Sequence, residues 1–195
     1  MNISKFLFYF ILTFPFFQLQ SQNSSEDCRE NLSIFAESAK IKNYKAAYEP
    51  WMSVRNNCPK YSLATFQYGE LILKDFIKTS TTNQEKEKYI SDLLKLYDEW
   101  AVNFPQRKGV NQIGKIYSSK GQAMIDNNFG DKLKIYQTFE YAYNNDIKSF
   151  SNPKSLAYYF QTAYDLYKMG NSEVPLEVLF NKYEELTERF ESLRI

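Results

Sequence analysis

Between Asn43 and Gly69 the chain reads NYKAAYEPWMSVRNNCPKYSLATFQYG, and no other stretch constrains the fold as tightly. Tyr44, Ala47, Trp51 and Val54 recur at spacings of 3, 4 and 3, one face of a helix with 3.6 residues per turn. Asn56, Asn57 and Pro59 then stop that helix. Proline lacks the amide hydrogen and biases its predecessor away from helical angles. A second apolar period opens at once with Leu63, Phe66, Gly69, Leu73 and Phe76. Gly69 inside it costs about 1 kcal/mol relative to alanine, so a close helix–helix approach is expected there.

These residues set the register of a resemblance. The stretch resembles the tetratricopeptide family, a helix-turn-helix repeat of about 34 residues. With Pro59 as the closing proline, Ala47 falls on the family's small second-helix position, Trp51 on its aromatic position and Val54 on the small-to-medium one after it. Gly69 falls on the first-helix glycine of the next repeat, while Phe35 and Ser38 stand where the family prefers glycine and tyrosine. The same periods also fit a generic antiparallel helical bundle.

The remaining helices are read from apolar period and punctuation. The first hairpin is predicted over Arg29 to Lys42 and Tyr44 to Asn57, and the next over Ser62 to Lys78 and Glu85 to Asn103. Thr79 to Gln84 is a polar loop with Thr82 or Asn83 as cap, and Gln106 to Gly109 a short loop after Pro105. A fifth helix is expected from Val110 to Ile125, with Gly114 and Gly121 at close contacts. Asp126 to Gly130 (DNNFG) is a turn before a sixth helix from Asp131. Pro153 suits the first turn of a seventh, which ends at Met169-Gly170-Asn171. The eighth starts near Pro175, and its Leu176, Leu179, Tyr183, Leu186, Phe190 and Leu193 repeat at 3-4-3-4-3 as an a/d seam expected to pack within the chain. First helices thus begin near residues 29, 62, 110 and 153, and only the first two units follow the family pattern in detail. No polar capping helix follows the eighth, which suits a fragment or the short member of a longer family.

The expected fold class is all-α: a right-handed α-solenoid of about four antiparallel helix hairpins, TPR-like, after an N-terminal signal peptide. Aromatic residues make up 17% of the 195-residue chain, with 16 Tyr and 16 Phe, which excludes disorder. Six Gly, six Pro and few alternating Val/Thr runs disfavour an all-β fold.

The start of the chain points to export. Lys5 precedes an apolar run from Phe6 to Phe17, and Gln18-Leu19-Gln20-Ser21 supplies a small residue before Gln22. Cleavage is expected after Ser21, giving a signal peptide over 1–21 and a TPR-like domain over 22–195; a buried N-terminal helix is the alternative. Ser25-Glu26-Asp27 before Cys28 is no lipobox. The full chain carries 24 Lys and Arg against 23 Asp and Glu, and loss of Lys5 with the signal peptide leaves the two signs equal. That excludes a nucleic-acid partner and a polybasic membrane patch as expectations. The setting resembles that of secreted TPR-like proteins of Gram-negative bacteria.

Cys28 and Cys58 are the only cysteines. Two free thiols would suit a cytosolic chain, but an exported one meets oxidising conditions. Helices of about 14 residues span about 21 Å each, so an antiparallel hairpin returns Cys58 to the level of Cys28. A structural Cys28–Cys58 disulfide is expected.

There is no histidine, which removes His-based triads and His zinc sites. No Walker loop, dinucleotide glycine motif or EF-hand loop occurs. DNNFGD at Asp126 reads as a turn rather than a calcium loop, and Glu184-Glu185 as a solvated face rather than an acid/base pair. Neither a cofactor nor a metal is expected. Arrays of the resembled family bind peptides on a concave face lined by first helices. In that register Phe66, Glu70 and Lys74 would line it, against the plainer reading of ordinary amphipathic surface. The function expected is a non-enzymatic periplasmic or secreted adaptor, monomeric or part of a larger complex, with an envelope protein or peptide segment as partner and no stable membrane insertion. The alternatives are a truncated copy of a longer repeat protein, a carboxylate-dependent glycan-acting enzyme on an α/α scaffold, and a lipid or small-ligand binder.

Overall fold

The computed structural model describes residues 18–193, with side chains from Glu26 onward. Among these are eight helices: α1 (Gln18–Lys40), α2 (Tyr44–Asn57), α3 (Ala64–Thr79), α4 (Asn83–Asn103), α5 (Ile113–Asp126), α6 (Lys132–Asn145), α7 (Pro153–Lys168) and α8 (Leu176–Ser192). A two-stranded hairpin, β1 (Gln106–Arg107) and β2 (Val110–Asn111), lies between α4 and α5. The all-helical expectation therefore holds. Residues 1–17, which hold the charge and apolar run of the predicted signal peptide, lie outside the described residues.

Short polar side chains start the helices. Asn43, Thr82 and Asp131 each accept a hydrogen bond from the backbone N–H three residues on. Asn152 accepts from Lys154 and Ser155, with Pro153 in the first turn of α7. Several helix bounds depart from expectation, among them the start of α5, which falls at Ile113 and not Val110 because Val110 pairs with Arg107 in the hairpin. α1 begins before Arg29, so Cys28 sits within the helix and the expected cleavage point after Ser21 falls inside it. The expected loop Gln106 to Gly109 is the turn of the hairpin: Lys108 and Gly109 both take positive φ, 51° and 78°, the geometry of a type I′ turn.

The helices pack in chain order, each against its sequence neighbours, with α1 also touching α3 and α5 touching α7. Trp51 is wholly buried; its indole lies over Gly69, where a Cβ would come within 2.6 Å of the ring, and its Nε1 donates to the Thr65 carbonyl at 2.7 Å. Gly121 likewise makes room for the Phe139 ring, and Gly114 for the backbone at Asp146. The glycines expected at close contacts are thus found there. In the second half, Phe139, Tyr143, Phe150 and Tyr159 form one aromatic cluster.

Buried charge adds a second fastening. The Arg55 guanidinium is buried over the Trp51 ring and pairs with Asp92 at 2.9 Å and Glu99 at 2.7 Å, tying α2 to α4. The Cys28–Cys58 disulfide forms, with Cα atoms 6.5 Å apart, joining α1 to the end of α2.

α8 corrects an expectation. Its apolar seam does not pack within the chain as one face. Leu186 is buried and Leu179 and Leu193 partly so, whereas Leu176, Tyr183 and Phe190 are exposed. Lys182 takes an inward position instead. Its ammonium sits 5.6 Å from the Tyr143 ring centre and 5.4 Å from that of Tyr159, contacts that a symmetric a/d packing of α8 would not allow.

Three outcomes follow. Gly69→Ala lowers the unfolding free energy by about 1–3 kcal/mol in urea titration, because the indole is held by Thr65 and cannot retreat. Arg55→Met costs about 2–3 kcal/mol, less than for a fully buried pair because both carboxylates reach water. Replacing both cysteines by serine costs about 3 kcal/mol, and reductant lowers the Tm of the native protein but not of that variant.

Candidate functional site: a polar cleft between α3 and α5

A cleft of about 550 Å³ opens between α3 and α5, within the range of ligand-sized sites. Glu70, Lys74, Ile77 and Lys78 form the α3 wall, and Ser119, Gln122, Ala123 and Asp126 the α5 wall. Lys86 of α4 and the α7 cap Asn152 close it. Two of the residues expected at a peptide groove, Glu70 and Lys74, do line it.

The third does not. Phe66 is wholly buried, stacked on Trp100 at 6.1 Å between ring centres and edge-on to Phe104 at 5.7 Å. It belongs to the same apolar period as Leu73, and burial against two rings outweighs exposure in a polar groove.

The carboxylates of the cleft are already engaged. Glu70 Oε1 accepts from Lys74 Nζ and from the Tyr97 hydroxyl at 2.8 Å. Burial, and then the Glu70 carboxylate beside it, pushes the Tyr97 hydroxyl well above the usual range, so it stays a hydrogen-bond donor. Asp126 accepts from Lys154 Nζ at 2.9 Å, from the Tyr158 hydroxyl at 3.0 Å and from Gln122. Burial alone would raise its carboxyl, but those three hydrogen bonds outweigh it and hold Asp126 below the usual carboxylate range. DNNFG is a turn, as expected, with Asn128 and Gly130 at positive φ.

Lys78 and Lys86 form no ion pair among the described residues. The cleft thus offers ammonium and side-chain amide donors above walls whose negative charge is spent internally. Glu184 and Glu185 lie elsewhere, on α8, where Glu185 pairs with Lys182 at 2.9 Å. Gln122 and Asp126, one helical turn apart, were not anticipated at a cleft; their i, i+4 spacing puts both on the polar face of α5.

No protein-family model, curated protein or solved structure matches the chain.

The depressed Asp126 carboxyl gives an acid-limb prediction. Its stabilisation is complete above the unfolded-chain value of about pH 4 and is lost as the pH falls through the lower folded value. Asp126→Asn therefore flattens the decline of stability below about pH 4, read from Tm against pH.

Proposed function

We propose that the chain is an exported, non-enzymatic helical-repeat scaffold of the tetratricopeptide type, which holds a segment of an envelope protein in the α3–α5 cleft. The observation that carries this is the cleft itself: α3 and α5, two first helices of successive hairpins, supply opposite walls of one ligand-sized groove. The repeat reading also draws support from the Trp51–Gly69 contact, which joins the last helix of one hairpin to the first helix of the next. Solenoid repeats stack in that manner. Export draws support from the Cys28–Cys58 disulfide, which is compatible with an oxidising compartment. Among the described residues no helix is long and apolar enough to cross a membrane.

Recognition in this reading rests on the free donors. Lys78 and Lys86 pair with carboxylates of the bound segment, while the Asn152 amide nitrogen donates to one of its backbone carbonyls. The test is a tagged pull-down of the mature protein from envelope fractions, read by mass spectrometry. One partner is expected at a stoichiometric amount, with recovery reduced about tenfold by Lys78→Glu with Lys86→Glu, a variant that keeps its helical circular dichroism. A folded, abundant protein that recovers no stoichiometric partner overturns the proposal.

A further inference from the structure

The outer face of α8 presents a feature that the cleft does not use. The inward face is fixed. Leu186 and Lys182 are buried, Arg189 donates from Nε to the Phe150 carbonyl at 3.2 Å and from a terminal nitrogen to the Lys148 carbonyl at 2.9 Å, and the Tyr143 hydroxyl donates to the Glu185 carbonyl at 3.2 Å. These bonds prevent α8 from turning to bury its other side.

That other side is apolar. Leu176, Phe180, Tyr183, Thr187 and Phe190 follow one another at 4-3-4-3 along α8. Their four large apolar members keep 50%, 61%, 56% and 40% of their surface in water. Beside the stripe runs an apolar trough of about 390 Å³, completed by Leu156, Ala157 and Phe160 of α7. A mean repeat of 3.5 residues is the period that keeps a seam facing a second helix crossing at a shallow angle. The shape of the missing occupant is therefore helical.

Charge settles which helix. Glu177, Glu184, Glu188 and Glu191 lie along one edge of the stripe, all exposed and in no ion pair among the described residues. A second copy of α8 laid antiparallel about a two-fold axis would meet this edge with itself, Glu184 against Glu184 and Glu177 against Glu191. Like charges in that position disfavour antiparallel self-pairing. An anionic lipid surface meets the same repulsion. A helix with lysine or arginine on the facing edge gains both the apolar seam and the ion pairs.

We propose that this face docks an amphipathic helix of another protein, with an apolar heptad stripe and a basic edge. The site is separate from the α3–α5 cleft and does not depend on how that cleft is used.

The probes are two synthetic peptides of about three heptads, each with leucine at a and d, one with lysine and one with glutamate at the flanking positions. Binding to the full chain is read by fluorescence anisotropy. The lysine peptide is expected to bind about tenfold more tightly than the glutamate peptide, and to weaken as salt rises. Phe180→Asp, an exposed position that leaves the helix content unchanged by circular dichroism, weakens it about tenfold. Glu184→Lys with Glu191→Lys reverses the preference toward the glutamate peptide. Equal affinity for both peptides, absence of binding, or a preference unmoved by the reversal overturns the proposal. So does concentration-dependent dimerisation lost on Phe180→Asp in sedimentation equilibrium, which would give the face to a second copy. Binding to phosphatidylglycerol vesicles lost in the same variant would give it to a lipid surface and also overturn the proposal.

Discussion

The contact of Trp51 with Gly69 carries the first half of the molecule. An indole fits flat on α3 only where a side chain is missing, and the Thr65 carbonyl fixes its in-plane position through Nε1. The upper face of the ring is then covered by Arg55, whose charge is answered from α4 by Asp92 and Glu99. One glycine therefore sets the spacing of three helices. The guanidinium is buried without being orphaned, which is the condition for a buried charge to be tolerated. The position of Glu70 and Lys74 at the cleft follows, because both stand on the helix that the indole orients.

Much of this was legible from local signals. α2 runs from Tyr44 to Asn57, where the apolar period and the Asn43 cap agree despite Pro50 inside it, and α7 from Pro153 to Lys168, where the Asn152 cap and Pro153 in the first turn agree. The disulfide was legible because Cys28 and Cys58 stand about equally far in sequence from the α1–α2 turn, so an antiparallel hairpin brings them level. Signals that live in one residue's chemistry and its immediate neighbours survived folding.

What failed depended on tertiary choice. Phe66 was placed both on an apolar face and at a groove, and packing against Trp100 and Phe104 resolved the conflict in favour of the core. In α8 the 3-4-3-4-3 pattern described two faces, not one. Lys182, polar by composition, became an inward residue because two tyrosine rings in other helices could receive its charge. No local pattern announces that a cation will be preferred to a leucine. The far wall of the cleft, on α5, was hidden for the same reason. The two surfaces left over have opposite character: a polar cleft with free cations, and an apolar stripe with free anions.

The extensive helix contacts join elements no more than two places apart in the chain. Such a molecule has no distant strand to hold its ends together, so it comes apart from whichever end is weaker. The covalent link between α1 and α2 closes 30 residues at one end, while the other end is held by Lys182, Arg189 and a half-buried seam. Disassembly is therefore directional. A processive protease or a mechanical pull would strip α8 and α7 first and stall at the cross-linked hairpin, leaving the amino-terminal part as the last folded remnant.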